Sequence, residues 1–223
     1  MHSSVEDVLE CRPLLIAEAP VLNATRNHDV DLMRRCIALA KSSLTAGEYP
    51  FAAVVAHNGV FLCESINRAK QDRNVNRHAE ILAIAAAQEL RGQNLSDCTI
   101  YSTVEPCAQC SYAIREAQIG RVVYGLKSPL MGGHSRWSIL SDTRLSSTLP
   151  EVFLPAPEIV SGFLQDEVEA VFQQWGPLIW PVIKARKIFV RTSDTIDARS
   201  SPIRSGSAGL ARRLRAYLVD LMR

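Results

Sequence analysis

Two short motifs constrain this chain more than any other feature: His78-Ala79-Glu80 and Pro106-Cys107-Ala108-Gln109-Cys110. Each puts polar, titratable groups at the head of an apolar run. In RHAEILAIAAAQ, residues 77–88, the apolar side chains from Ile81 onward go nearly all round the helix, the pattern of a helix packed on most sides. Positions i and i+2 lie about 200° apart around a helix axis, so His78 and Glu80 cannot meet midway along one. They converge only at an end, where free N–H groups and the positive end of the dipole favour anions. In YSTVEPCAQC the chain leaves a strand, turns at Glu105-Pro106 and starts a helix whose first turn carries Cys107 and Cys110 on one face. Pro106 suits that place because it has no N–H to leave unpaired.

The surrounding pattern supplies the frame. Residues 29–46 read as an amphipathic helix stopped by Gly47, and FAAVVAHNGVFLCESI reads as a hairpin, with strands near 51–57 and 60–66 about Asn58-Gly59. A loop at 67–77, the His78 helix, a strand at 98–104, a helix over 107–118 and a strand at 121–125 follow. Further on, the expectations are a short helix near 135–142, a strand at 158–161 and a helix over 163–175. Strands alternating with helices after a hairpin imply an α/β fold with a mixed sheet of about five strands and helices on both faces. Both motif helices then point their N-termini at one sheet edge, where α/β proteins hold ligands.

Two thiolates and a neutral imidazole are three zinc ligands of suitable softness, and three protein ligands leave a fourth position for water. A nearby glutamate that is not a ligand can move that water's proton, the role Glu80 fits. Competing readings are a redox Cys-x-x-Cys, a capping histidine and an ordinary first-turn acid. Phe51 is placed either to stack on a ring or simply to begin a buried strand. His134 and Trp137 either line a pocket or pack a loop. Cys36, Cys63 and Cys98 read as small core residues.

On the HAE and PCAQC residues, the chain resembles the zinc-dependent nucleobase and nucleoside deaminases of the cytidine deaminase-like superfamily, whose members carry an H-x-E and P-C-x-x-C signature. Within it, the branch of tRNA adenosine, guanine and cytosine deaminases is most similar, through YPFAAVV, Asn67-Arg68, HAEI, STVEPCAQC and IGRVVYG across residues 27–176. The resemblance implies a three-layer α/β/α fold, a Zn²⁺ cofactor held by His78, Cys107 and Cys110, Glu80 as catalytic acid–base, and a homodimer. It also implies substrate contacts from Asn67 and the Ala79 backbone N–H. The implied enzyme is a hydrolase that releases ammonia from cyclic amidines. Departures are Ala52, where this branch often has glycine, and KSPLMGGHSRWSIL at 127–140.

Charge bears on the substrate. The net +2 of the 223 residues divides into +7 over residues 182–223 and −5 over residues 1–181. An acidic body favours a small-molecule base or nucleoside, the first expectation, over extended RNA contact. The rivals are a tRNA adenosine deaminase using the basic tail as an arm and, from another class, a silent scaffold subunit with structural zinc. The expected divisions are an N-terminal extension at 1–26, a deaminase domain at 27–181, and a basic tail at 182–223 with little fixed structure before a terminal amphipathic helix. No run suits a signal peptide or a membrane span, and six irregularly spaced cysteines suit a reducing compartment, so a cytoplasmic setting without membrane contact is expected.

Overall fold

The computed structural model describes residues 28–193; the extension at 1–26 and the amphipathic segment from 210 lie outside these. The first helix, α1 (His28–Thr45), buries Leu32, Met33, Cys36, Ile37 and Ala40 along one face and ends before Gly47, whose φ of +71° suits a residue without a side chain. The hairpin β1 (Ala52–His57) and β2 (Val60–Ile66) turns through Asn58 and Gly59, with φ of 48° and 77°. Positive φ at both central residues is what a tight hairpin turn requires.

Next come α2 (Ala79–Arg91), β3 (Cys98–Val104), α3 (Ala108–Glu116), β4 (Arg121–Leu126), α4 (Thr143–Thr148), β5 (Glu158–Ser161), α5 (Gln165–Trp175) and α6 (Trp180–Ala185). The sheet order is β2-β1-β3-β4-β5, with β1 antiparallel to both its neighbours and β3, β4 and β5 parallel. Alternation along β1 sends Ala52, Val54 and Ala56 to a core shared with α1, α5 and α6. Ala53 and Val55 enter the opposite core with α2 and α3. The three-layer α/β/α architecture read from the sequence is therefore present.

Two expectations are corrected. Residues 135–142 form turns, and the helix starts later, at α4, where Asp142 caps it by accepting from the Arg144 N–H at 2.8 Å. The backbone at 132–135 is instead committed to Glu105 and α3. A Cβ on Gly132 would lie 2.0 Å from Glu105 Oε1, and one on Gly133 2.0 Å from Ser111 Oγ. The second correction concerns fixed structure beyond residue 181. Helix α6 and Ile188, Phe189 and Val190 are packed into the domain, and Val190 bridges Lys127 through N–H···O bonds of 2.9 and 3.0 Å. Apolar burial outweighs the cationic composition that marked this stretch as a solvated tail.

Candidate metal centre and active site

His78 and Cys107 are the N-cap residues of α2 and α3, both with extended backbone, and neither side chain makes a capping hydrogen bond. They face each other instead. His78 Nδ1 lies 3.3 Å from Cys110 Sγ and 3.5 Å from Cys107 Sγ, and the two sulfurs are 3.6 Å apart. A tetrahedral zinc with bonds of about 2.3 Å to sulfur and 2.0 Å to nitrogen has S···S edges of about 3.8 Å and N···S edges of about 3.5 Å. The three side chains therefore stand close to the corners that zinc needs, and they are the group of metal-binding type found among the described residues. The capping-histidine reading does not survive this geometry, and a plain redox pair leaves the histidine unexplained.

The electrostatics fit the same reading. Cys107 is pulled down to about 4, first by its interaction with Cys110 and then by His78, against the opposing effect of burial. Cys110 is pushed well up by that same interaction and by burial. The two sulfurs are coupled through this contact, and a divalent cation held between them would stabilise both as thiolates. His78 is raised, first by its hydrogen bond to Cys107.

Glu80, in the first turn of α2, is 8% exposed. Its Oε1 accepts from Ser102 Oγ on β3 at 3.0 Å, and Oε2 accepts from Cys110 Sγ at 3.5 Å. Desolvation in this niche is the largest influence on its carboxyl and raises it. It is adjacent to the metal set without belonging to it.

These residues lie at the polar end of a cavity of about 250 Å³. Asn67 and Phe51 line it, as two of the three substrate-binding candidates; Ala79, fully buried, does not. Phe51 packs against Phe172 and Phe189, with ring centroids 5.7 and 5.9 Å away. His134 and Trp137 are elsewhere: His134 Nδ1 meets Tyr124 OH at 2.9 Å, and Trp137 is exposed beneath Arg136. Four features of the site went unread in the sequence. Tyr49 and Trp175 pack edge to face, Ile183, Ile188 and Phe189 come from the supposed tail, and Ser102 orients Glu80. The fourth is Glu105, whose Oε1 and Oε2 accept from the N–H groups of Ser128, His134 and Ser135 and from Ser135 Oγ, shaping the loop that carries Met131 into the cavity. A glutamate amid an apolar run, just before Pro-Cys, was the signal for it.

A partly buried trio of two thiols and an imidazole beside a desolvated carboxylate, at the edge of a mixed α/β sheet, defines a zinc hydrolase of the deaminase type. The family model for the cytidine and deoxycytidylate deaminase zinc-binding region matches residues 26–126. A tRNA-specific adenosine deaminase of Agrobacterium fabrum is 32% identical over 153 residues, which are 68% of this chain and 94% of that one. The chloroplastic tRNA(adenine(34)) deaminase of Arabidopsis thaliana is 30% identical over 163 residues, 69% of this chain but 12% of the much longer relative. A solved structure from work on A-to-I editing by deaminases of the tRNA wobble position has a TM-score of 0.56 at 30% identity, covering 64% of this chain and 99% of that one. The chain belongs to this zinc-binding deaminase family, and it is a hydrolase acting on carbon–nitrogen bonds of cyclic amidines.

Proposed function

We propose that this chain deaminates adenosine to inosine within tRNA, using His78, Cys107 and Cys110 as zinc ligands and Glu80 as the proton carrier. The observation that carries the substrate is the likeness to tRNA deaminases over 94% and 99% of their lengths. Local charge supports it. The loop that continues from the cavity-lining Asn67 and Ala69 bears Arg68, Lys70, Arg73 and Arg77 against a single Asp72. The acidic balance of residues 1–181 is thus reversed beside the cavity, where a phosphate backbone gains from cations.

Zinc, held by His78, Cys107 and Cys110, would supply a water of lowered pKa as the nucleophile for the amine-bearing carbon. Glu80 does the rest of the proton work. Its raised affinity for a proton suits a group that must take one from water, give it to a ring nitrogen and then assist the departing amine. Ser102 holds Oε1, so that Oε2 is the oxygen on the metal side. Phe51 offers a ring face for stacking, and Asn67 a polar edge. The same family reading makes the active species a homodimer, and the irregular cysteine pattern favours a reducing compartment such as the cytoplasm.

A free base or nucleoside is the second reading, because a cavity of about 250 Å³ walled by Phe172, Trp175 and Phe189 encloses a single ring system without needing a polymer. Ammonia release and inosine formation from unmodified tRNA, adenosine, adenine, guanine and cytosine distinguish the two. Inosine in tRNA with no turnover of the small compounds is expected. Turnover of a free base with none of tRNA would overturn the first reading.

A further inference from the structure

Glu48, in the segment joining α1 to β1, is 1% exposed. Its four partners are all N–H donors of neutral groups. Oε1 accepts from Tyr49 N–H and from Asn67 Nδ2, each at 3.0 Å, and Oε2 accepts from the N–H groups of Lys70 and Gln71 at 3.2 and 3.1 Å. Four such donors offset the desolvation of a carboxylate. The contact with Asn67 does something that the backbone contacts do not. An ionised carboxylate only accepts, so it draws the NH₂ end of the Asn67 amide and fixes which way round that group lies. The two ends of an amide are nearly the same shape, and without such a partner an asparagine can turn over. Asn67 is itself 3% exposed and lines the cavity, and among the described residues no side chain or backbone group donates to its Oδ1.

We propose that Glu48 is a positioning residue for substrate recognition: by holding Asn67 Nδ2, it presents Asn67 Oδ1 to the bound ring, so that the site selects rings offering an N–H or amino donor on that edge. This rests on the reading of Asn67 as a ring contact given above. Electrostatic consistency favours it, since an acceptor-only residue can present its neighbour's carbonyl but cannot hold that carbonyl back. The alternative is that Glu48 merely ties residues 46–49 to 67–71.

A double-mutant cycle on the full chain separates the two, with KM and kcat measured by ammonia release from whichever of tRNA, adenosine or guanine is turned over best, and zinc content determined on the same samples. Glu48→Gln and Asn67→Ala are each expected to raise KM about tenfold, the scale of one lost hydrogen bond, with kcat within about threefold and zinc unchanged. The double variant should be no worse than Asn67→Ala, because Glu48 then has no amide left to orient. Additive effects, or an unchanged KM in Glu48→Gln beside a raised one in Asn67→Ala, overturn the positioning role while leaving Asn67 as a contact. An unchanged KM in Asn67→Ala overturns the Asn67 reading and this inference together. Should Glu48→Gln fail to fold, Asn67→Asp serves instead. It removes the donor and sets two carboxylates against each other, so its KM should exceed that of Asn67→Ala; equality of the two overturns the role.

Discussion

Among individual residues, Glu80 separates an enzyme from a scaffold that keeps zinc for structure. Glu80→Gln preserves size and can still accept from Ser102, but it removes the proton acceptor. Turnover should fall by roughly 10² to 10⁴, the usual loss of a general acid–base, while zinc content stays at the wild-type level. Cys107→Ala is the control in the other direction: with two ligands left it should lose most of its zinc and all of its turnover. Metal analysis and ammonia release on one sample of each variant check both. Retained zinc with less than a tenfold loss in Glu80→Gln would remove the residue from the proposed mechanism. His78, Glu80, Cys107 and Cys110 were legible because their chemistry is local, two short motifs at two helix starts. Glu48, Ser102 and Glu105 were not, because each acts across the sheet edge on a partner at least 19 residues away, and a lone acid or serine in sequence carries no mark of its partner.

At the scale of elements, Asp29 shows how α1 is fastened to the sheet. Its carboxylate receives two hydrogen bonds from Arg121 on β4, at 2.8 and 2.9 Å, and one from Tyr101 OH on β3 at 2.6 Å. Arg121 is the largest cause of a lowered pKa, with burial opposing and Tyr101 adding to the effect. A depressed folded-state value means that this stabilisation is fully present above the unfolded value of about 3.9 and is lost as the pH falls through the folded one. Asp29→Asn should therefore cost about 1–2 kcal/mol at pH 7, a charged hydrogen bond discounted for partial exposure, and progressively less below pH 4. Urea unfolding of both proteins at pH 7 and near pH 3 measures this; a difference that does not shrink with acid would assign the effect to packing. The pattern of elements through β4 was legible because period 2 and period 3.6 alternate cleanly there. The failure at 135–142 has a physical cause. The apolar residues Trp137, Ile139 and Leu140 mimic a helix, but the Gly132-Gly133 backbone is pressed against Glu105 and Ser111 and leaves through turns.

For the whole molecule, the question is where the fold stops, and the answer runs against composition. Lys184, Arg186, Lys187 and Arg191 made the stretch after residue 181 look like solvated tail. The buried carboxylate of Glu169 on α5 gathers two of those charges instead, meeting Lys184 Nζ at 2.8 Å and Arg191 Nε at 2.6 Å, together with Trp180 Nε1 at 3.3 Å. Burial pushes Glu169 up, but the Lys184 and Trp180 hydrogen bonds and the nearby cations outweigh it. This clamp sets Trp180, Ile183, Ile188, Phe189 and Val190, each at most 9% exposed, against the core and the cavity. Burying such side chains is worth roughly 1.5–3 kcal/mol apiece, so together they rival the 5–15 kcal/mol by which a domain is ordinarily stable. Two truncations then have opposite expected outcomes. Ending the chain after Ser193 should keep zinc and the thermal transition within a few degrees of the full chain, and a collapse of tRNA turnover alone would identify the removed residues as an RNA-binding arm. Ending it after Leu178 should abolish cooperative unfolding, because the core loses one wall and Glu169 is left buried without its cations, a loss of about 3–5 kcal/mol in itself. A folded, zinc-loaded protein ending at Leu178 would return the boundary to the position that charge alone suggested.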